Sequence, residues 1–461
     1  SEFAAARPIL SLPPSGTDAL PPKVKFMVAR RRRRWLVGAL AAGALGHAGA
    51  ARAQLVQQYF PSDIPGYAPD FSSSVVDRLN LQNQDAGVEI GDFTVRPSVS
   101  ESGAYESEVL GTPNSASSEA ETNASLKAGS DWARNALGIS LGVDDRQYPQ
   151  LPQAGFTNWT MAGGGALTLG DDALTIAYAH LALHLSATDL GVTGVVDPVP
   201  YAVDDVRLGY AKLFARFSLT PSFEYQNFTF GTAGGPNAVN YNSLNHQTES
   251  GTLTGRYDTA PGDGVVAILH VSQAQFSPFV ANDYTDVGGF AGLDFRSDAV
   301  VQYRLLVGYE TRSFTQGVSA VSTPTFELDA VWTPTPLDTV TATAVRRLDD
   351  PTSPFARNQI VTDGRVQLDH ELRQTVFLRV SAEDSRSDSE AASEAAGSDR
   401  QNQVHLGVGA TWNINRHLRG TIGYAFTNST GNGTALDQLP TDSASGRFIN
   451  HIVTVGVTLH E

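Results

Sequence analysis

From about residue 90 to residue 459 the chain repeats one rhythm: an alternating run, a tight turn, a second alternating run, then a long polar connection. The stretch QVHLGVGATWNINRHLRGTIGYAFTNS, residues 403–429, contains the unit. Val404, Leu406, Val408, Ala410 and Trp412 alternate with His405, Gly407, Gly409 and Thr411, and after NINRH a second run carries Ile422, Tyr424 and Phe426. A period of two residues puts one set of side chains on each face of a β-strand. The same division recurs elsewhere. Val301, Tyr303, Leu305, Val307 and Tyr309 oppose Gln302, Arg304, Leu306, Gly308 and Glu310, and Val366 and Leu368 oppose Arg365, Gln367 and Asp369.

Eight short turns are expected, at 129–135, 170–172, 216–222, 259–264, 296–299, 333–338, 370–374 and 413–417. Between them lie nine longer connections rich in Gly, Pro, Ser, Asn and acidic residues, the longest at 106–121, 231–246, 383–400 and 428–446. Shorter ones fall at 146–155, 187–201, 277–287, 315–323 and 350–360. Short turns alternating with long loops give an all-β, antiparallel, up-and-down transmembrane barrel of about 18 strands (16–18), with both chain ends on one side. A β-sandwich also alternates, with its apolar face inward. The strand length of about 10 to 14 residues and the regular asymmetry of the connections favour the barrel. Tyr178, Tyr225, Tyr257, Tyr303, Tyr309, Trp332, Trp412 and Tyr424 lie near strand ends, where interfacial girdles form, although strands favour aromatics in any setting.

Residues 27–53 have the parts of a secretory signal peptide. A basic run at 30–34 precedes a short apolar core at 35–45, and Ala51-Arg52-Ala53 forms an A-x-A site, so cleavage is expected after Ala53. A twin-arginine signal is the alternative; a barrel without a cofactor needs no folded export. Residues 1–26 read as an upstream extension or a cloning scar, and residues 54–86, rich in Pro, Ser and Gln, as a flexible periplasmic lead-in to a barrel over 87–461. The whole chain carries a net charge of −16; without residues 1–53, which hold nine Lys/Arg and two Asp/Glu, it is −23. That acidity argues against nucleic acid as a partner. There is no cysteine, which excludes disulfides and thiolate metal sites. No stretch after residue 53 has 18 consecutive apolar residues, so helical membrane spans are excluded, while a barrel is not.

The motifs give little support for catalysis. Asp369, His370 and Glu371 stand together, but at an expected strand end beside a periplasmic turn. His180 and His184 share a strand face at about 13 Å, too far apart for one ion. The Gly-rich GTAGGPNAVN lacks the Lys-Ser/Thr of a phosphate loop. No G-x-S-x-G elbow is present. No enzyme activity, cofactor or metal is therefore expected, and a hydrolase assembled at the rim is a minor alternative. The candidate functional surface is the lumen: Arg207, Arg256, Asp294, Arg296, Arg304, Glu310, Arg365, Asp369 and Arg379 fall on the polar strand faces. An Arg facing lipid near the midplane would cost roughly 2–4 kcal/mol, so these groups should face water or one another. They read either as cross-strand charge pairs or as a selectivity lining, and the two are compatible.

The segment GVEIGDFTVRPSVSESGAYESEV, residues 87–109, resembles the opening of the outer-membrane β-barrel porin family of Gram-negative bacteria, through Gly87, Gly91, Phe93, Pro97 and Ser98. The acidic-acidic-Asn-aromatic segment usual after that opening is missing, with Glu106 and Glu108 nearby. Further matches are LKAGSDWARNALGISLGVDDRQY, WTPTPLDTVTATAVRR, LDHELRQTVFLRVSAE and TWNINRHLRGTIGYAFTNS, so the resemblance spans roughly residues 87–459. Barrels of this kind commonly end on an aromatic residue; here His460 and Glu461 follow the last alternating run. The resemblance implies an outer-membrane location, contact with outer-membrane lipid and lipopolysaccharide, and insertion by the barrel-assembly machinery. It also implies passage of an exopolysaccharide or another hydrophilic solute, with polysaccharide-export components as partners. The alternative is a structural or adhesive barrel displaying acidic loops.

Overall fold

The computed structural model describes residues 59–61, 64–67, 87–192, 195, 197–232, 240–277, 280–296, 300–315, 319–391, 399–433 and 446–461. The expected extension, the signal peptide and most of the lead-in lie outside the described residues.

A short strand β1 (Val88–Ile90) turns into β2 (Phe93–Glu106). From β2 each strand pairs antiparallel with the next: β3 (Ser117–Ser130), β4 (Ala136–Gln147), β5 (Phe156–Leu169), β6 (Asp172–Leu185), β7 (Val199–Leu213) and β8 (Phe217–Phe230). The series continues with β9 (His246–Ala260), β10 (Asp263–Phe276), β11 (Tyr284–Phe295), β12 (Val301–Phe314), β13 (Val321–Thr335) and β14 (Asp338–Asp349). It ends with β15 (Ala356–Arg373), β16 (Val376–Ala391), β17 (Asp399–Asn415), β18 (Leu418–Gly433) and β19 (Phe448–His460). β19 then pairs back onto β2, from Ile452 opposite Glu106 to His460 opposite Ser98. Nineteen strands form one sheet, and because β1 only extends the edge of β2, eighteen make the closed ring. Closure satisfies the backbone groups that a membrane would leave without water.

The faces divide as the alternation requires. Val408, Trp412, Val307, Tyr309, Val366 and Ile422 are each at least 50% exposed on the outside of the protein, forming a surface suited only to lipid. His405, Glu310 and Asp369, on the opposite parity of the same strands, are buried. The expected turns fall at junctions of consecutive strands, except that residues 217–222 of the turn expected at 216–222 already belong to β8. Strands reach into some of the expected long connections, while the one at 231–246 keeps its expected length. Residues 383–391 belong to β16 and residues 399 and 400 to β17, and β3 begins at Ser117 within the expected loop 106–121. The reason is visible at the loop ends. There the outward residues rise above lipid and become polar, as in the Arg386–Asp388 and Arg400–Asp388 ion pairs (2.8 and 2.6 Å), so apolar alternation stops before the ladder does.

Two ladders lose pairs beside a proline: β7–β8 skips the pair at Pro221, and β13–β14 stops short of its loop end. β13 and β14 pair only up to Phe326 opposite Arg346. Continuing that register would set Pro324 opposite Leu348, and Pro has no N–H to donate. The Leu348 N–H instead donates to Glu310 Oε2 at 3.3 Å, and Arg312 Nη1 donates to the Asp349 carbonyl at 3.0 Å. The top of β14 thereby leans toward the inner face of β12, and Leu348 is buried although it shares the parity of the outward residues.

The orientation of the wall has a direct test. Val408→Arg places a charge in the apolar belt at a cost of roughly 2–4 kcal/mol near the midplane, and should lower the yield of folded barrel in membranes. Gly409→Arg adds a charge on the inner face, opposite Arg379, and should leave that yield near the parent's. Equal losses, measured by heat-modifiable mobility of membrane fractions, would reverse the assigned faces.

Candidate functional site

The nine expected site residues all lie on the inner parity or, for Arg296, just past the end of β11, and most are ion-paired. Asp294, 2% exposed, pairs with Arg256 and with Arg296 Nε (2.7 Å), and Arg256 also reaches Asp258 at 2.8 Å. Asp369 pairs with Arg379 at 2.7 Å and accepts from Gln367, which itself accepts from Arg365 at 3.0 Å. Arg304 lies 3.6 Å from Glu327. Arg207 pairs with Glu224 (2.8 Å) and Asp205 (3.2 Å). Glu310 holds the Leu348 N–H. The structure thus assembles two clusters, Arg256–Asp294–Arg296 with Arg304 opposite Asp294 on the next strand, and Arg365–Gln367–Asp369–Arg379, with Arg207 and Glu310 apart from both.

Asp369 and His370 do not form an acid–base pair: His370 Nδ1 bonds Asp338 Oδ1 at 2.7 Å, while Asp369 points to Arg379. His180 and His184 separate to Asp204 (2.8 Å) and Asn158 (3.0 Å). Among the described residues no group of three or more His, Asp or Glu side chains could hold a metal ion.

The interior holds more than charge. On β6 the inward residues are Ala177, Ala179, Leu181, Leu183 and Leu185, all nearly fully buried. They continue into Val199, Tyr201 and Val203 on β7 and Phe228 and Phe230 on β8. An apolar inner wall needs an apolar filling, and two chain segments supply it.

The first is part of the lead-in. Ile64-Pro65-Gly66-Tyr67 forms a tight turn: the Tyr67 N–H donates to the Ile64 carbonyl at 3.0 Å, and Gly66 has φ +95°, the combination of Pro and left-handed Gly that a type II turn requires. Ile64, 1% exposed, sits over Gly138 and Gly164. A Cβ at Gly138 would come within 2.9 Å of Ile64 Cδ1, and one at Gly164 would collide with the Pro65 carbonyl. Tyr67 donates its hydroxyl to Asp205 at 2.7 Å, and Phe60 and Tyr67 stack at 4.9 Å with Arg207 against both rings (4.5 and 4.6 Å). Burial, then the Asp205 carboxylate, push the Tyr67 hydroxyl well above its ordinary range, so it remains a donor. The expectation of a flexible lead-in is corrected for residues 59–61 and 64–67: they are docked on the inner wall, because burying Ile64 alone stabilises by about 1.5–3 kcal/mol. The signal in the sequence was the x-Pro-Gly-x turn flanked by Ile and Tyr.

The second segment is the loop between β6 and β7. Its Gly191 N–H donates to Gln401 on β17 (2.6 Å), its Thr188 carbonyl accepts from Gln403 (3.1 Å), and its Leu190 carbonyl accepts from the Thr352 hydroxyl (3.3 Å). β17 lies about half the ring away from β6 and β7, so this loop crosses the mouth of the barrel. Gly191 has φ +79°, and a Cβ there would collide with the Thr352 hydroxyl. Thr352 belongs to the connection from β14 to β15, which is anchored by Asp350 to His246 (3.2 Å), Arg312 (3.4 Å) and the Tyr284 hydroxyl (2.6 Å). Burial acts to raise the Asp350 pKa. The His246 hydrogen bond and the charges of His246 and Arg312 outweigh it and hold the carboxyl well below the usual carboxylate range. A depressed pKa means the contribution is present above the unfolded-state value and is lost only as pH falls through the folded one, so the anchor is intact at neutral pH.

This architecture defines a membrane channel class: a closed barrel, apolar outside, charged inside and crossed by its own loop. The sequence profile described as "Putative beta-barrel porin 2" matches residues 83–459, and the chain belongs to that family of outer-membrane porins. No curated protein matches the sequence. Among solved structures, OccAB3 of Acinetobacter baumannii is similar at 10% identity and TM-score 0.45, covering 81% of this chain and 100% of that one. OccK2 (OpdF) of Pseudomonas aeruginosa in complex with glucuronate is similar at 9% identity and TM-score 0.45, covering 80% and 99%. The siderophore receptor PirA of Pseudomonas aeruginosa is similar at 8% identity and TM-score 0.39, covering 80% of each.

Asp350→Asn should loosen the connection from β14 to β15, because the half-buried carboxylate holds His246, Arg312 and Tyr284 through charge-assisted contacts worth roughly 1.5–3 kcal/mol each. Faster proteolysis at residues 350–355 in the folded barrel, with unchanged strand content by circular dichroism, is the expected result.

Proposed function

We propose that this outer-membrane barrel is a channel for a hydrophilic solute, with an exopolysaccharide as the favoured cargo, and that the nine charged residues form part of its selectivity lining. The observation that carries the reading is the contrast of faces. An apolar belt of residues such as Val307, Val366 and Val408 encloses an inner wall bearing Arg207, Arg256, Arg304 and Arg379 with their carboxylate partners, and Arg365 on Gln367. A wall of paired charges is water-compatible without a strong net field, which suits neutral or weakly charged polymers. Export through a signal peptide cleaved after Ala53, insertion by the barrel-assembly machinery, contact with lipopolysaccharide and coupling to polysaccharide-export components complete the proposal.

Purified protein in planar bilayers should conduct ions, and removing residues 188–192 should raise the unitary conductance severalfold by clearing the mouth. A barrel that stays silent after this deletion would overturn the channel reading. The mature amino terminus, read by mass spectrometry of envelope protein, should be Gln54.

A further inference from the structure

The docked turn at residues 64–67 does more than fill space: it satisfies a polar site on the wall beneath it. Asp205 is 0% exposed and is held from three sides. Gln226 Nε2 donates to it at 2.9 Å, Arg207 Nε lies 3.2 Å away, and the Tyr67 hydroxyl donates at 2.7 Å. Glu224, on β8 with Gln226, clamps the far end of the same guanidinium at 2.8 Å. Asp205, Arg207, Glu224 and Gln226 all belong to adjacent strands, where Asp205 stands opposite Gln226 and Arg207 opposite Glu224. Four groups fixed by one ladder keep their arrangement whether or not the turn is present. Only the hydroxyl of Tyr67 and the ring faces over Arg207 come from outside the wall.

Resting on the channel reading, we propose that Asp205, Arg207, Glu224 and Gln226 form a binding site for the hydroxylated rings of the passing solute, and that residues 64–67 are a tethered competitor for it. Departure of the turn leaves a carboxylate oxygen without its hydroxyl donor and a guanidinium face without its cover. A ligand must then supply a hydroxyl and a flat, weakly polar ring face. A pyranose chain supplies both, at repeating intervals. Two carboxylates beside one guanidinium disfavour anionic rings, so the class is a neutral polyhydroxylated chain. The competitor is intramolecular and acts at a high effective concentration, so the solute succeeds only when abundant. The contact that fixes the turn is steric: Gly138 and Gly164 leave the hollow that Ile64 and Pro65 occupy.

The test is current block by maltoheptaose in planar bilayers, using the full chain. Two variants release the turn without altering the four wall residues: Ile64→Asp, and Gly164→Val, which fills the hollow. In both, the half-blocking concentration should fall by about tenfold relative to the parent, the gain expected when a tethered competitor is removed. Adding Asp205→Asn to Ile64→Asp should return it to the parent value or above. Equal block of the parent and both release variants would overturn the shared site, as would block that ignores Asp205→Asn. If the variants pass ions but maltoheptaose never blocks them, this inference fails and the channel reading stands. If no form conducts, including the one lacking residues 188–192, both fail.

Discussion

Backbone hydrogen bonding without water governs this protein. A strand in hydrocarbon must give every N–H and C=O to a neighbour, and the last strand must therefore find the first. The β19–β2 ladder meets that demand, and the outward apolar belt, the inward charges and the rhythm of the connections follow from it. The early stop of the β13–β14 ladder makes the same point. Pro324 cannot donate; Arg312 donates from inside to the Asp349 carbonyl, and the Leu348 N–H turns to Glu310, a carboxylate two strands away in the ring. That substitution draws the top of β14 inward and delivers Asp350 to His246, Tyr284 and Arg312.

The interior is asymmetric. Around β9, β11, β15 and β16 the wall is closed by charge pairing, as in Arg256–Asp294 and Asp369–Arg379. Around β6 to β8 it is apolar except for the Asp205–Arg207–Glu224–Gln226 cluster, and takes up chain segments. The loop after β6 is tied across the mouth by hydrogen bonds to amides and hydroxyls of the far wall, contacts of roughly 1 kcal/mol each that water can replace. Fixed cylinder and exchangeable filling are thus built from different interactions.

Much of the fold was legible in the sequence because lipid imposes a period of two that no other neighbour imposes so strictly. Val301 to Tyr309, Val366 to Leu368 and Val404 to Trp412 each reveal their outward face unaided. The inner wall is harder to read. On β6 the inward Leu181, Leu183 and Leu185 break the expected polar lumen, and their partners lie far away in the chain: Tyr67 and Asp205 are 138 residues apart. No local pattern encodes such a meeting. The candidate charges were legible as inward residues. Which of them pair was not, because that depends on strand register: Asp369 meets Arg379 only because β15 and β16 place them opposite one another. Arg312 and Asp205 were missed for the same reason: their partners Asp350, Gln226 and Tyr67 stand on other elements.

The short strand β1 has a consequence for how the ring is sealed. It lies on the same edge of β2 as β19 and begins where β19 stops: His460 stands opposite Ser98, the Glu461 N–H reaches the Pro97 carbonyl, and Val88 stands opposite Val95. Strands in a sheet can slide by two residues and still keep each side chain on its proper face, so alternation alone does not forbid a mis-threaded seam. Here the track is already occupied. A two-step slide of β19 toward the turns would run into β1 end-on, which makes this three-residue strand a stop that sets the circumference and shear of the finished cylinder.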